Sequence, residues 1–258
     1  GKLMVITLTI QGYLIYATMA AMLAAGTMMP FRKTRWLGWA AYVAGAILAA
    51  GSYGWRWYAT GHVPMQNVFE ALLLTAALLF PLTLVARRVG AHLEAADPWL
   101  ALIVLFPLGF ILPEAVGPRA AELDTLLFVP HVLCYMLAYA IMAKASFQAA
   151  RLLITGDTAL ERQTYHLARL ALPFLTAGLL LGSWWGHLAW TRHWGWDPKE
   201  LLSLASWLMV LVYLHSRGLL ARQPRTRGAI VLVAMALMVL TLLSNYLPFF
   251  PGMHSYAR

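Results

Sequence analysis

The sequence predicts an all-α integral membrane protein, a bundle of about eight transmembrane helices with both termini on the outer side. Three observations predict it. Of 258 residues, 61% are apolar and only 11% charged, where soluble domains hold about 45–50% and about 25%. The mean hydropathy of +0.68 extends over the whole length, which excludes both a soluble enzyme and a disordered chain. The rare charges and turn residues also divide the chain into runs approaching the length of about 20 apolar residues that a bilayer crossing needs.

Those runs cover approximately residues 3–29, 36–53, 68–86, 99–112, 125–149, 167–183, 201–220 and 229–249. The first is too long for a secretory signal and ends in no small-residue cleavage site. The fourth is short and holds Pro107 and Pro113, so it is kinked or crosses incompletely. No repeat stands out, and no connection leaves room for a soluble domain. Residues 1–258 therefore form one polytopic domain. Cys134, the lone cysteine, excludes an internal disulfide and sits in an apolar run as a packing residue.

The net charge is +9. In a membrane chain this reads as topology and contact with anionic lipid, and no nucleic-acid partner is expected. Arg32, Lys33, Arg35, Arg87, Arg88, Arg151, Arg162, Arg169, Arg217, Arg222, Arg225 and Arg227 follow spans one, three, five and seven. The other side holds half as many: Lys2, Arg56, Arg119, Arg192, Lys199 and Arg258. The bias places the first set in the cytoplasm and the connection between spans six and seven outside. Lys144 is expected to snorkel to the inner surface.

That outer connection, a loop over about 184–200, carries Trp184, Trp185, Trp190, Trp194 and Trp196, five of the eleven tryptophans within thirteen residues. An interfacial belt accounts for Trp36, Trp39, Trp55 and Trp99, which lie scattered at helix ends. It accounts poorly for this density. An aromatic platform for a large planar ligand accounts for it better. Asp197-Pro198-Lys199-Glu200 reads as a helix start, with Asp as N-cap, Pro at the first position and Glu reaching back. Arg192 and Lys199 are either solvated or contacts for ligand carboxylates.

The pattern W-x-x-x-x-W-x-x-x-W-x-W-D-P-K-E resembles the tryptophan-rich WWD signature of haem-handling cytochrome c assembly proteins. Its D-P-K-E ending is similar to the CcsA/ResC branch of assembly system II, whereas the CcmC and CcmF branch typically ends D-A-R. Flanking matches extend the resemblance from about residue 60 onwards. The sequence departs at Leu188, Thr191 and His193, where the branch more often has a polar residue, a glycine and a tyrosine.

Histidines sort by depth. His131 lies about six residues, or roughly 9 Å, into span five from its outer end, and His254 follows span eight on the same side. Two imidazoles beside the tryptophans can clamp an iron from both faces. The resemblance implies that His131 and His254 are the axial ligands of haem b (iron protoporphyrin IX), supported by Trp185, Trp190, Trp194, Trp196 and Asp197. His215, near the cytoplasmic end of span seven, resembles a transmembrane haem ligand whose opposing ligand comes from a CcsB/ResB-type partner. A histidine hydrogen-bonded between helices is the alternative. Glu70 is either a first-turn residue stabilised by its helix dipole or a group near the ligand. His62 is either a loop histidine or an accessory to the site. His92 and His166 read as solvated, and His187 stays open.

The implied function is the haem-handling subunit of a cytochrome c synthase. It moves haem to the outer face and presents it to the C-x-x-C-H motif of apocytochrome c, as part of a haem lyase with the CcsB/ResB-type protein. The membrane is the bacterial inner membrane or the thylakoid. A haem transporter without synthase activity is the alternative, and a b-type cytochrome subunit a more distant one. No nucleophilic triad or zinc motif is visible.

Overall fold

A computed structural model describes residues 8–92, 94–115 and 121–244. They form eight α-helices: α1 (Ile10–Met28), α2 (Arg35–Thr60), α3 (Val68–Arg88), α4 (Asp97–Phe110), α5 (Phe128–Thr155), α6 (Ala159–Trp190), α7 (Pro198–Leu219) and α8 (Pro224–Leu243). A 3-10 turn at Ala121–Leu123 precedes α5. Five of the helices, α3 and α5–α8, are long and apolar enough to cross a membrane, while α4 has only 14 residues. The chain is a helical membrane protein.

Local chemistry sets several boundaries. The Thr9 hydroxyl accepts the Gly12 N–H at 3.0 Å and caps α1. Gly61 and Gly156 end α2 and α5 in the left-handed conformation, at φ 72° and 74°, which glycine adopts without steric cost. Prolines open α4, α7 and α8. Three helices outrun their sequence limits, α2 to residue 60, α5 to Thr155 and α6 over 159–190. At the end of α2 and the start of α6, charges that look like loop punctuation are neutralised inside the fold. Arg56 pairs with Glu70 at 3.0 Å and Arg227 with Glu161 at 3.1 Å, all four buried. Arg56 is therefore a buried helix residue and not a loop charge. At 32 residues, α6 is about 48 Å long, against a hydrocarbon core of about 30 Å.

The chain divides into two compact units, Gly1–Arg87 with His92–Pro118, and Arg88–Ala91 with Arg119–Arg258. In the first, α1 packs on α2 and α4, and Ile15, Phe69, Leu73, Ala76, Leu105 and Leu108 form an apolar core. Buried Asp97 accepts a hydrogen bond from Thr83. In the second, α5 packs against α6 and α8, and α7 against α8. Lys144, on α5, is fully buried and does not snorkel to a surface.

Candidate functional site

One end of the second unit gathers the start of α5, the end of α6 and the start of α7. His131, on the first turn of α5, places its Nδ1 2.9 Å from the Gly178 carbonyl of α6. A carbonyl only accepts, so Nδ1 carries the proton and the ring lone pair resides on Nε2. That is the tautomer in which a histidine ligates a metal while a backbone carbonyl orients it.

The ring is held on other sides as well. Trp185 stacks on it, with centroids 5.7 Å apart and planes 15° from parallel. Tyr135, one turn along α5, meets it edge-on at 5.1 Å. Gly182 lies so close that a Cβ there would be 2.5 Å from His131 Cε1. Trp185 is itself fixed, with its Nε1 donating to the Glu122 carbonyl at 2.9 Å and Phe128 packed beside it. At 1% exposure, it is a wall behind His131 and not an open platform face.

The remaining tryptophans spread outward. Trp190 stands edge-on to Trp185 at 4.8 Å, and Trp194 to Trp196 at 6.0 Å. The indole N–H of Trp194 is buried and has no acceptor among the described residues, whereas Trp196 is 69% exposed. Because α6 continues to Trp190, the segment expected as a loop over 184–200 is helical at both ends, and only residues 191–197 connect α6 to α7. Left-handed residues punctuate that connection, Thr191 at φ 58° and Trp196 at φ 57°. Asp197 caps α7 as the sequence suggests: its Oδ1 accepts the Lys199 N–H at 2.8 Å, and Glu200 accepts the Asp197 N–H at 3.1 Å. Arg192 is exposed and Lys199 half-buried. His187 and His193 stack in parallel at 4.3 Å, a pairing across the helix end that no sequence period announces.

His215 lies at the other end of the unit, about 25 Å along α7 from Pro198. Its Nδ1 donates to the Leu211 carbonyl of its own helix at 2.8 Å, and the side chain is exposed. An interhelical hydrogen bond is thus not how this nitrogen is satisfied. Beside it on α7, Arg217 lies 4.0 Å over the Tyr165 ring. His254 falls outside the described residues.

His62 and Glu70 belong to the first unit. His62 is half-buried, with Nδ1 3.1 Å from the Val63 carbonyl. Glu70 is buried at the first turn of α3, accepts from Gln66 N–H at 2.8 Å and pairs with Arg56, which also donates to the Glu114 carbonyl at 2.7 Å. These bonds carry the first-turn reading of Glu70. The support around His131 is the part that sequence reasoning missed. Its visible signal is the spacing of Gly178, Gly182 and Gly186, the small-xxx-small pattern that lets helices approach closely in a bilayer.

A polytopic helical membrane protein with a tryptophan-rich helix junction beside an oriented histidine is the class these features define. Residues 65–250 match the model of the cytochrome c assembly protein family, and the chain belongs to that family. Among curated relatives, the cytochrome c biogenesis protein CcsA of Chlamydomonas reinhardtii is 28% identical over 184 residues, covering 63% of this chain and 52% of that one. CcsA of Synechococcus sp. (strain RCC307) is 28% identical over 228 residues, covering 70% of this chain and 73% of that one. The chain thus spans about half the length of the first relative. A solved structure of the cytochrome c heme lyase CcmF shares the fold, with a TM-score of 0.66 over 93% of this chain and 48% of that one at 19% identity.

Proposed function

We propose that this chain, a member of the cytochrome c assembly protein family, presents haem b at the end of the second unit where His131 and the tryptophans meet. The observation that carries the reading is the His131 tautomer, a lone pair on Nε2 with Nδ1 bound to a helix carbonyl. The buried Trp194 N–H suits a ligand carrying acceptor groups. His131 and His254 would hold the iron. Trp190, Trp194 and Trp196 would cover the macrocycle, and Arg192 and Lys199 are available to its carboxylates.

The chemistry belongs to haem, whose two vinyl groups each take a cysteine S–H across the double bond, forming a C–S bond and placing the hydrogen on the neighbouring carbon. The chain's share is to orient and shield, while the incoming C-x-x-C-H histidine takes over one ligand position. The charge bias of the loops supports placing this end on the periplasmic or lumenal side, with both termini there.

His215 faces out of the fold, as a residue completed by a second protein would. An exposed imidazole within an apolar span is costly in lipid. This supports a CcsB/ResB-type partner supplying the opposing ligand and a haem lyase made of both. Coexpression with an apocytochrome c tests the reading. Covalent cytochrome c should require this chain and the partner. Haem export without covalent product would favour a transporter, and product formed without this chain would refute the synthase reading.

A further inference from the structure

We propose that Gly182 and Trp185 are positioning residues that act through His131, fixing its imidazole plane and aiming Nε2, and that Trp185 does not itself contact the planar ligand. The proposal rests on the reading of His131 as an iron ligand. Four separate observations enclose the ring: the Gly178 carbonyl on Nδ1, the Trp185 stack, the Tyr135 edge and the close approach of Gly182.

Gly182 is the tightest of these. An added Cβ would lie 2.5 Å from Cε1 and 2.8 Å from Nδ1 of the ring, well inside van der Waals contact. The imidazole is short and rigid, so it must rotate or retreat, and either movement breaks the bond to the Gly178 carbonyl. Gly178 and Gly182 are one helical turn apart on α6, so one helix face supplies both the acceptor and the space. Trp185 closes the cage three residues further on. Its indole is anchored by Nε1 to Glu122 O at 2.9 Å, and its 1% exposure leaves no face for a macrocycle. The tautomer and the plane of an axial imidazole govern its basicity and its overlap with the metal. The cage therefore sets ligand strength from outside the coordination sphere.

The test uses the full chain purified in detergent and titrated with haemin, in a His215→Ala background so that one site is read. Absorption and electron paramagnetic resonance spectra follow the low-spin bis-imidazole signal. Gly182→Ala should reduce that signal at least tenfold, and millimolar free imidazole should restore it, since a freely diffusing ligand needs no cage. Trp185→Phe keeps an aromatic wall but loses the Glu122 bond, and should shift the resonance without abolishing haemin binding. Read on haem that co-elutes with the chain in gel filtration, recovery by imidazole separates displacement of His131 from misfolding, since free imidazole also forms the low-spin complex with unbound haemin. If Gly182→Ala does not accumulate, the Trp185→Phe shift carries the test. A large His131→Ala effect with Gly182→Ala and Trp185→Phe both matching the parent overturns this inference and leaves the ligand reading standing. His131→Ala matching the parent overturns the ligand reading, and this inference with it.

Discussion

His131 and His215 make the same bond and live in opposite surroundings. Each donates Nδ1–H to a backbone carbonyl, at 2.9 and 2.8 Å, so each carries its lone pair on Nε2. For His131 the carbonyl belongs to another helix, and stacked and edge-on rings complete the enclosure. For His215 it belongs to the same helix four residues back, and the ring is exposed. The first imidazole is oriented by the fold of this chain alone. The second has its tautomer fixed and its orientation left to whatever packs against α7. Under the proposed function, this contrast becomes a division of labour, with the His131 site preorganised and the His215 site shared with a second protein.

The largest effect should come from the histidines. In the lone chain, His131→Ala is expected to abolish the bis-imidazole haem spectrum and His215→Ala to leave it intact. With a CcsB-type partner present, His215→Ala should lower haem content. Equal effects in the lone chain would erase the distinction.

Next comes the charge cluster near His215. Arg227→Met removes the 3.1 Å partner of buried Glu161 and leaves it only the exposed Arg217 at 3.8 Å, so the loss should stay below the roughly 3–5 kcal/mol that an uncompensated buried charge costs. Thermal unfolding in detergent should show that loss, while the spectrum of the His131 end stays unchanged if the two ends are independent. Smaller effects belong to the helix junction. Asp197→Ala removes the α7 cap and should cost about 1 kcal/mol, lowering the melting temperature. Thr191→Gly should raise it by a similar or smaller amount, because a β-branched residue at φ 58° bears a left-handed penalty of about 1–2 kcal/mol.

The eight helices among the described residues were legible because hydropathy runs and turn residues report directly on the backbone, although only five of them are long and apolar enough to cross a membrane. The Asp197 cap was legible for the same reason, being a local motif of four residues. Thr191 is instructive: it falls at a left-handed helix end, where glycine is the unstrained choice. The ends of α2 and α6 were not legible, because Arg56 and Glu161 resemble loop charges until their partners arrive from other helices. Lys144 misled because its burial depends on tertiary packing around α5, which a single span does not report. The role of Trp185 was hidden because a cluster of tryptophans in sequence says nothing about which ring turns inward, and its neighbours Glu122, Phe128 and His131 lie more than fifty residues away.

The central claim is that His131, paired with His254, holds haem in this chain without help from another protein. The absorption spectrum of the purified chain, oxidised and reduced, tests it most directly, comparing the parent with the combined His131→Ala and His254→Ala variant. The account predicts a low-spin bis-imidazole haem spectrum in the parent and its loss in the variant. An unchanged spectrum in the variant would contradict it.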